Sequence, residues 1–168
     1  MSRFFSEVLA KHDRSRFTSG NEKIDHYFRT VVSQDVKRRY AACYVLIERE
    51  NNRIAGFYTL SSSAIPLLEI PAELTKKLPR YPTIPAVLIG WLGRDAVFQG
   101  QNIGSMLLYD AISRIASASV GVHAIFADAI DDAAEAFYRK HFFIPFANRP
   151  KSLFIEVATA LKLIEPNG

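Results

Sequence analysis

The stretch Pro85-Ala-Val-Leu-Ile-Gly-Trp-Leu-Gly93 is apolar throughout and lacks the alternation of a half-buried strand. A strand of that kind is covered on both faces, so the rest of the chain has to place it at the centre of a sheet with helices packed against it. With 168 residues, 49% of them hydrophobic, the chain holds enough apolar material to do this as one domain. Eight glycines, eight prolines and a single cysteine exclude both a low-complexity chain and a disulfide scaffold. No internal repeat and no Ser- or Pro-rich linker interrupts residues 1–168, which read as a single domain.

The other elements fall around that strand. Ser19 or Asn21 is placed to cap a helix over about residues 21–38, where Ile24, Tyr27, Phe28 and Val31 recur at helical spacing. Tyr40–Arg49 and Arg53–Ser62 are rich in β-branched and aromatic residues, and Asn51-Asn52 between them predicts a two-residue hairpin turn with positive φ. Pro71 opens a short helix, and Pro79, Pro82 and Pro85 then impose an extended path. After the central strand come a glycine-bearing turn, a long helix over about 103–119, a strand at Val122–Ala127 and a helix over about Asp131–Lys140. Strands near Phe142–Phe146 and Leu153–Val157 complete the order. Helix, three strands, helix, strand, helix and two strands make an α/β domain with a mixed sheet.

Lysine and arginine number 21 against 17 aspartates and glutamates, a formal net charge of +4. The excess sits toward both ends of the chain and the middle is acidic. Basic ends suit polyanionic partners, and they equally suit a solvated surface. The clearest clusters are Lys37-Arg38-Arg39 and Lys76-Lys77 with Arg80. Cys43 lies alone in the apolar stretch Tyr40–Ile47, so no intrachain disulfide and no Cys-x-x-Cys metal site can form, and no metal is expected. The N-terminus lacks the apolar core of a signal peptide, and no apolar run is long enough to span a bilayer. A cytoplasmic chain with no membrane partner is the expectation.

Chemistry concentrates in the turn Gln99-Gly-Gln-Asn-Ile-Gly-Ser105, where small, φ-permissive residues stand between the buried strand and the long helix. Backbone amides there, joined to the positive end of the helix, can hold a pyrophosphate with little help from cationic side chains. The spacing matches neither a P-loop nor a Rossmann fingerprint, because the Lys-Ser/Thr pair and the third glycine are missing.

Taken with the preceding Ile84–Asp95 segment, the turn resembles the coenzyme A loop of the GNAT acyltransferases, whose pattern is Gln/Arg-x-x-Gly-x-Gly/Ala. Gln99 takes the first position and Gly104 the last, while Asn102 replaces the middle glycine. Asparagine is the non-glycine residue that best accepts a left-handed backbone, so the turn should keep its shape. Downstream, Ala134-Glu-Ala-Phe-Tyr-Arg-Lys-His-Phe-Phe143 is similar to the family's Ala-x-x-x-Tyr-x-x-x-Gly-Phe helix, with Phe142 where glycine is usual. The resemblance implies a GNAT fold and acetyl-CoA as cofactor, bound by Gln99, Gly100, Gln101, Asn102, Ile103, Gly104 and Ser105 and along the strand by Trp91, Leu92 and Gly93. It implies that one amide of Trp91–Gly93 receives the thioester oxygen. Tyr138 then protonates the departing thiolate, which a phenol can do only while it keeps its own proton. Without the resemblance, Tyr138 reads as one more aromatic of an amphipathic helix beside Phe137. Asp128, Asp131, Asp132 and Glu135 are candidate bases that read more simply as helix caps and solvated charges.

Three further segments point to one branch of the family. His12-Asp-Arg-Ser-Arg-Phe-Thr-Ser-Gly-Asn-Glu-Lys-Ile-Asp25, Gly56-Phe-Tyr-Thr-Leu-Ser61 and Leu78-Pro-Arg-Tyr-Pro82 resemble the GNAT toxins of toxin–antitoxin systems, which acetylate the amino acid on charged tRNA. That resemblance implies an aminoacyl-tRNA substrate, a cognate antitoxin with a DNA-binding domain that joins the toxin in repressing its operon, and a homodimer. Arg29, Lys37, Arg38, Arg39, Lys76, Lys77 and Arg80 are the candidates for contact with tRNA phosphates, two or three of them being enough. The alternatives are a GNAT enzyme acting on a protein N-terminus or a small amine, and a cofactor-binding regulator without turnover.

Overall fold

The computed structural model describes residues 1–165. Seven strands, β1 (Phe4–Val8), β2 (Ala42–Glu48), β3 (Arg53–Pro66), β4 (Thr83–Arg94), β5 (Ala124–Asp128), β6 (Ile144–Pro145) and β7 (Ser152–Glu156), hydrogen-bond in the order β1-β2-β3-β4-β5-β7-β6. The sheet is mixed, as expected: β4 runs parallel to β5, with Ala86 opposite Ala124, whereas β1–β2, β2–β3, β5–β7 and β6–β7 are antiparallel. The described residues fall into two compact units, each assembled from two stretches of chain. The first holds Met1–Ser61 and Gly90–Ala111, the second Ser62–Ile89 and the chain from Ile112 onward. Because β3 and β4 both pass from one unit into the other, no linker marks a boundary in the sequence.

In the first unit Asn21 caps α1 (Glu22–His26), its side chain accepting from the amides of Lys23 and Ile24 at 3.0 and 3.3 Å. The single helix expected over 21–38 is interrupted. A π-helical turn, Tyr27–Val31, separates α1 from α2 (Val32–Lys37). Such a turn carries one residue more than an α turn, and here it lets the consecutive Tyr27 and Phe28 both point inward. Phe28 stacks on Phe57 with centroids 4.1 Å apart, and Phe17 meets both rings edge-on. Truncating a fully buried phenylalanine of this kind typically costs about 3–5 kcal/mol. Cys43 lies in the same core, and burial pushes its thiol up to about 12, so it is no nucleophile at neutral pH. The hairpin between β2 and β3 also departs from expectation: residues 49–52 form a longer turn in which only Asn52, φ 50°, is left-handed.

The second unit is built around Ile65, Ile70, Ile84, Phe126, Phe146 and Phe154. Pro71 precedes α3 (Ala72–Thr75) as the sequence predicts. Arg149 lies over the rings of Phe126 and Phe146, 5.7 and 5.1 Å from their centroids, and pairs with Glu69 and Asp128 at 3.0 and 3.2 Å. The helix α4 runs from Ile103 to Ala116, shorter than the 103–119 expected, and α5 spans Asp132–Lys140. Two elements have no counterpart in the sequence reading, β1 and α6 (Val157–Ile164). Glu156 precedes α6 without a side-chain cap, so the usual mark of a helix start is missing. Among the described residues no helix is long and apolar enough to cross a membrane.

Candidate active site

The first unit contains the end of the central strand and the turn that follows it. Trp91 stacks face to face on Tyr27 at 4.3 Å, with an interplanar angle of 8°. Its backbone amide donates to Thr59 Oγ1 at 3.0 Å, so a side chain from β3 takes an N–H that the sequence reading offered to a thioester oxygen. Within Trp91–Gly93 this leaves Leu92 and Gly93 as candidates for that task. Thr59 is buried, and a hydroxyl in mid-strand gives no sign in the sequence that it will replace a carbonyl as acceptor.

Beyond Arg94 the backbone is pinned before it turns. Asp95, 1% exposed, donates its amide to the Ala55 carbonyl at 2.8 Å. Its carboxylate accepts from the amides of Val97 (2.9 Å) and Thr18 (3.4 Å) and from the Arg53 guanidinium (3.4 Å). Ala96 donates to the Thr18 carbonyl at 2.8 Å. The buried Phe98, edge-on to Phe4 at 5.9 Å, and the buried Ile103 then anchor the two ends of an open connection. Between them Gly100 and Asn102 take left-handed conformations, φ 79° and 60°, the second as expected from an asparagine standing in for glycine. Gln101 Oε1 accepts from Arg3 at 2.7 Å. A β-carbon built on Gly100 meets nothing within 4 Å, so the space before the turn is clear.

The first backbone bond of α4 runs from the Met106 amide to the Asn102 carbonyl, 3.1 Å. The first-turn amides of any α-helix have no intrahelical acceptor, and over 14 residues α4 adds the positive end of its dipole. Exposed backbone, clear space and a helix start make this turn fit the diphosphate of coenzyme A. Gly56 holds the arrangement together from beneath: a β-carbon there would lie 2.7 Å from Leu107 Cδ1 and 2.9 Å from the Gly93 carbonyl oxygen, so only glycine lets β3 approach α4 and β4 so closely.

Tyr138 belongs to the second unit, on α5, which Asp131 caps by accepting from the Ala134 amide at 2.8 Å. The ring is 5% exposed and packs against Phe137 and Phe143, with centroids 5.3 and 5.1 Å away. Burial, with a smaller contribution from the Asp128 charge, pushes the phenol well above its ordinary value of 10.0, so it stays protonated at any physiological pH. Among the described residues its hydroxyl has no hydrogen-bond partner. A buried hydroxyl left without a protein acceptor is costly, and in a helix facing a substrate it is a proton donor in waiting. Phe142, where the family motif has glycine, adopts glycine's backbone, φ 69°, and its ring is 66% exposed.

The four acidic candidates all have structural partners. Asp128 accepts from Ser152 Oγ (2.6 Å) and Arg149, Asp131 is the helix cap, Asp132 pairs with Lys151, and Glu135 pairs with Arg139 (3.2 Å) and Lys151 (3.8 Å). No dedicated base is evident among them. Of the cationic candidates, Arg29 is turned inward, donating to the Phe17 carbonyl through Nε (2.9 Å) and Nη2 and lying 3.9 Å from Asp25. Lys37, Arg38, Arg39, Lys76, Lys77 and Arg80 are exposed.

No family model matches the chain. It is 33% identical over 128 residues to a tRNA-acetylating toxin of Mycobacterium tuberculosis, covering 75% of each chain, and 28% identical over 163 residues to a probable TacT toxin of Sinorhizobium fredii, covering 92% of this chain and 90% of the relative. Its fold matches AtaT complexed with acetyl-methionyl-tRNAfMet at a TM-score of 0.86 and 28% identity, over 96% of this chain and 99% of AtaT. A tyrosine-to-phenylalanine variant of AtaT, bound to the C-terminus of the antitoxin AtaR and to acetyl-CoA, matches at 0.81 and 26% identity, over 98% of this chain and 100% of that one. A GNAT-type turn, a buried tyrosine at the motif position and likeness to these proteins over most of the sequence lead to one assignment: the chain belongs to the family of tRNA-acetylating GNAT toxins.

Proposed function

We propose that the protein transfers acetyl from acetyl-CoA to the α-amino group of the amino acid on charged tRNA, and so acts as a translation-blocking toxin neutralised by a cognate antitoxin. Acetyl-CoA supplies the acetyl group as a thioester, already activated for attack. The turn at Gln99–Asn102 and the first turn of α4 take the diphosphate through backbone groups. An amide of Leu92 or Gly93 holds the thioester oxygen as negative charge grows on it. The neutral amine attacks, the carbon–sulfur bond breaks, the amine loses one proton to solvent, and the Tyr138 hydroxyl gives one to sulfur. Solvent then restores the phenol.

The state of Tyr138 carries this reading: its ring is buried, its proton is firmly held, and its hydroxyl has no protein acceptor. The engagement of all four acidic candidates fits an α-amine as acceptor. An α-amino group titrates near ~7.7–8.0, lower when the adjacent carboxyl is esterified, whereas a lysine ammonium near ~10.4 needs a strong base. Charged tRNA and acetyl-CoA together place the reaction in the cytoplasm.

Mass spectrometry of total charged tRNA after incubation with enzyme and acetyl-CoA tests the proposal, with free amino acids and peptides as competing acceptors. N-acetylated aminoacyl-tRNA is the expected product. Acetylation of peptides or free amines in its place would transfer the enzyme to another acceptor class.

A further inference from the structure

Two exposed tyrosines stand beside cations that pair with nothing. In the first unit α2 ends in a tight cap: Arg38 donates to the Gln34 carbonyl (2.9 Å), Arg39 to Val36 (3.1 Å) and Tyr40 to Asp35 (2.9 Å). Arg39 occupies the left-handed position after the helix, φ 62°, where glycine is the unstrained choice. The Tyr40 carbonyl accepts from Ser61 Oγ at 2.7 Å, so its backbone is held on both sides while the side chain is in solvent, the residue being 71% exposed.

The second unit repeats the composition on a different scaffold. Lys76 and Lys77 end α3, and Arg80-Tyr81 lies between Pro79 and Pro82, whose rings fix φ. The Pro82 carbonyl accepts from the Leu67 amide at 3.0 Å, and Leu74 and Leu78 pack onto the core. Tyr81 is also 71% exposed. Among the described residues none of Lys37, Arg38, Arg39, Lys76, Lys77 and Arg80 makes an ion pair, whereas Arg139, beside the exposed Phe142, is bound to Glu135.

We propose that Tyr40 and Tyr81 are stacking platforms for unpaired nucleotides of the RNA substrate, with the three cations beside each holding the neighbouring phosphates. The proposal rests on the aminoacyl-tRNA reading and extends it from charge to shape. Cations alone bind any phosphate chain, paired or not. An aromatic face adds affinity only where a base is free to leave its neighbours and lie on it, which excludes the stem and selects single-stranded segments. A rigid backbone beneath an exposed ring is suited to this, because little order has to be imposed on binding.

The test is equilibrium binding of two probes, a single-stranded RNA with the sequence of a tRNA 3′ end and a blunt RNA duplex, measured over a salt series. Tyr40→Ala and Tyr81→Ala should each weaken single-strand binding about tenfold. Duplex binding and the slope of log K against log salt should not change. Tyr40→Phe and Tyr81→Phe should restore binding, since stacking needs the ring and not the hydroxyl. Lys37→Ala and Lys76→Ala should instead reduce the salt slope by about one on both probes. Tyrosine-to-alanine variants that bind the single strand normally, or that lose both probes equally, would overturn stacking while leaving the tRNA reading intact. Failure of the unaltered protein to bind either RNA would overturn both.

Discussion

The turn at Gln99–Asn102 is exposed and offers backbone groups, whereas Tyr138 is buried and offers one hydroxyl. The first is held by what flanks it: Asp95 and Phe98 on one side, Ile103 on the other, with Gly56 beneath. The second is held by its own ring, clasped between Phe137 and Phe143. A site made of backbone tolerates exchange of side chains so long as φ is respected, which is how Asn102 can stand in for a glycine. A site made of one hydroxyl tolerates no loss of that atom. The two should therefore fail in opposite ways when altered.

The largest effect is expected from Tyr138→Phe. Removal of the acid should lower kcat by about 10²–10⁴, and calorimetry should show acetyl-CoA affinity nearly unchanged. A comparable loss of affinity would mean that the phenol binds rather than reacts. Next in size is the response to pH. Since the phenol's proton is held well above its ordinary range, Tyr138 contributes no falling limb below about pH 10. The rate should climb about tenfold per pH unit while the acceptor amine is still protonated and level off above about pH 8. A profile that keeps rising past pH 9 would indicate a lysine-like acceptor.

Gly100→Val should show the reverse signature of Tyr138→Phe. A β-branched residue at φ 79° is strained, although the space in front of it is open. Acetyl-CoA binding should weaken about tenfold, the equivalent of ~1.4 kcal/mol, while kcat at saturation stays close to that of the unaltered enzyme. The smallest effect is expected at Phe142→Gly, which relieves a left-handed phenylalanine and loses little burial from a ring that is mostly exposed. Stability should rise by up to about 1 kcal/mol, read as a higher Tm. A lower Tm would show that the ring contributes more than its exposure implies.

How far the sequence could be read follows the same division. Features fixed by local chain chemistry were legible: the Asn21 cap, the unalternating central strand, the left-handed Asn102 and the Asp131 cap of α5. Features that arise when distant segments meet were not. Nothing near Thr59 announces that its hydroxyl will accept from Trp91, 32 positions away, and nothing near Asp95 announces its bonds to Thr18 and Arg53. Arg29 looked like a surface cation because the Phe17 carbonyl that claims it lies in a loop. The strand β1 is five residues, too short a pattern to stand out, and its pairing with β2 completes it.

The π-helical turn at Tyr27–Val31 also acts as a counting device. Each residue advances an α-helix by about 100°, so the surplus residue resets the angular position of all that follows on α2. Excising one residue there would restore ordinary winding, yet it would swing Lys37, Arg38, Arg39 and Tyr40 about a quarter-turn around the axis with no change in their identity. Where that basic segment faces is thus encoded by arithmetic upstream, and a deletion far from any charge would redirect it.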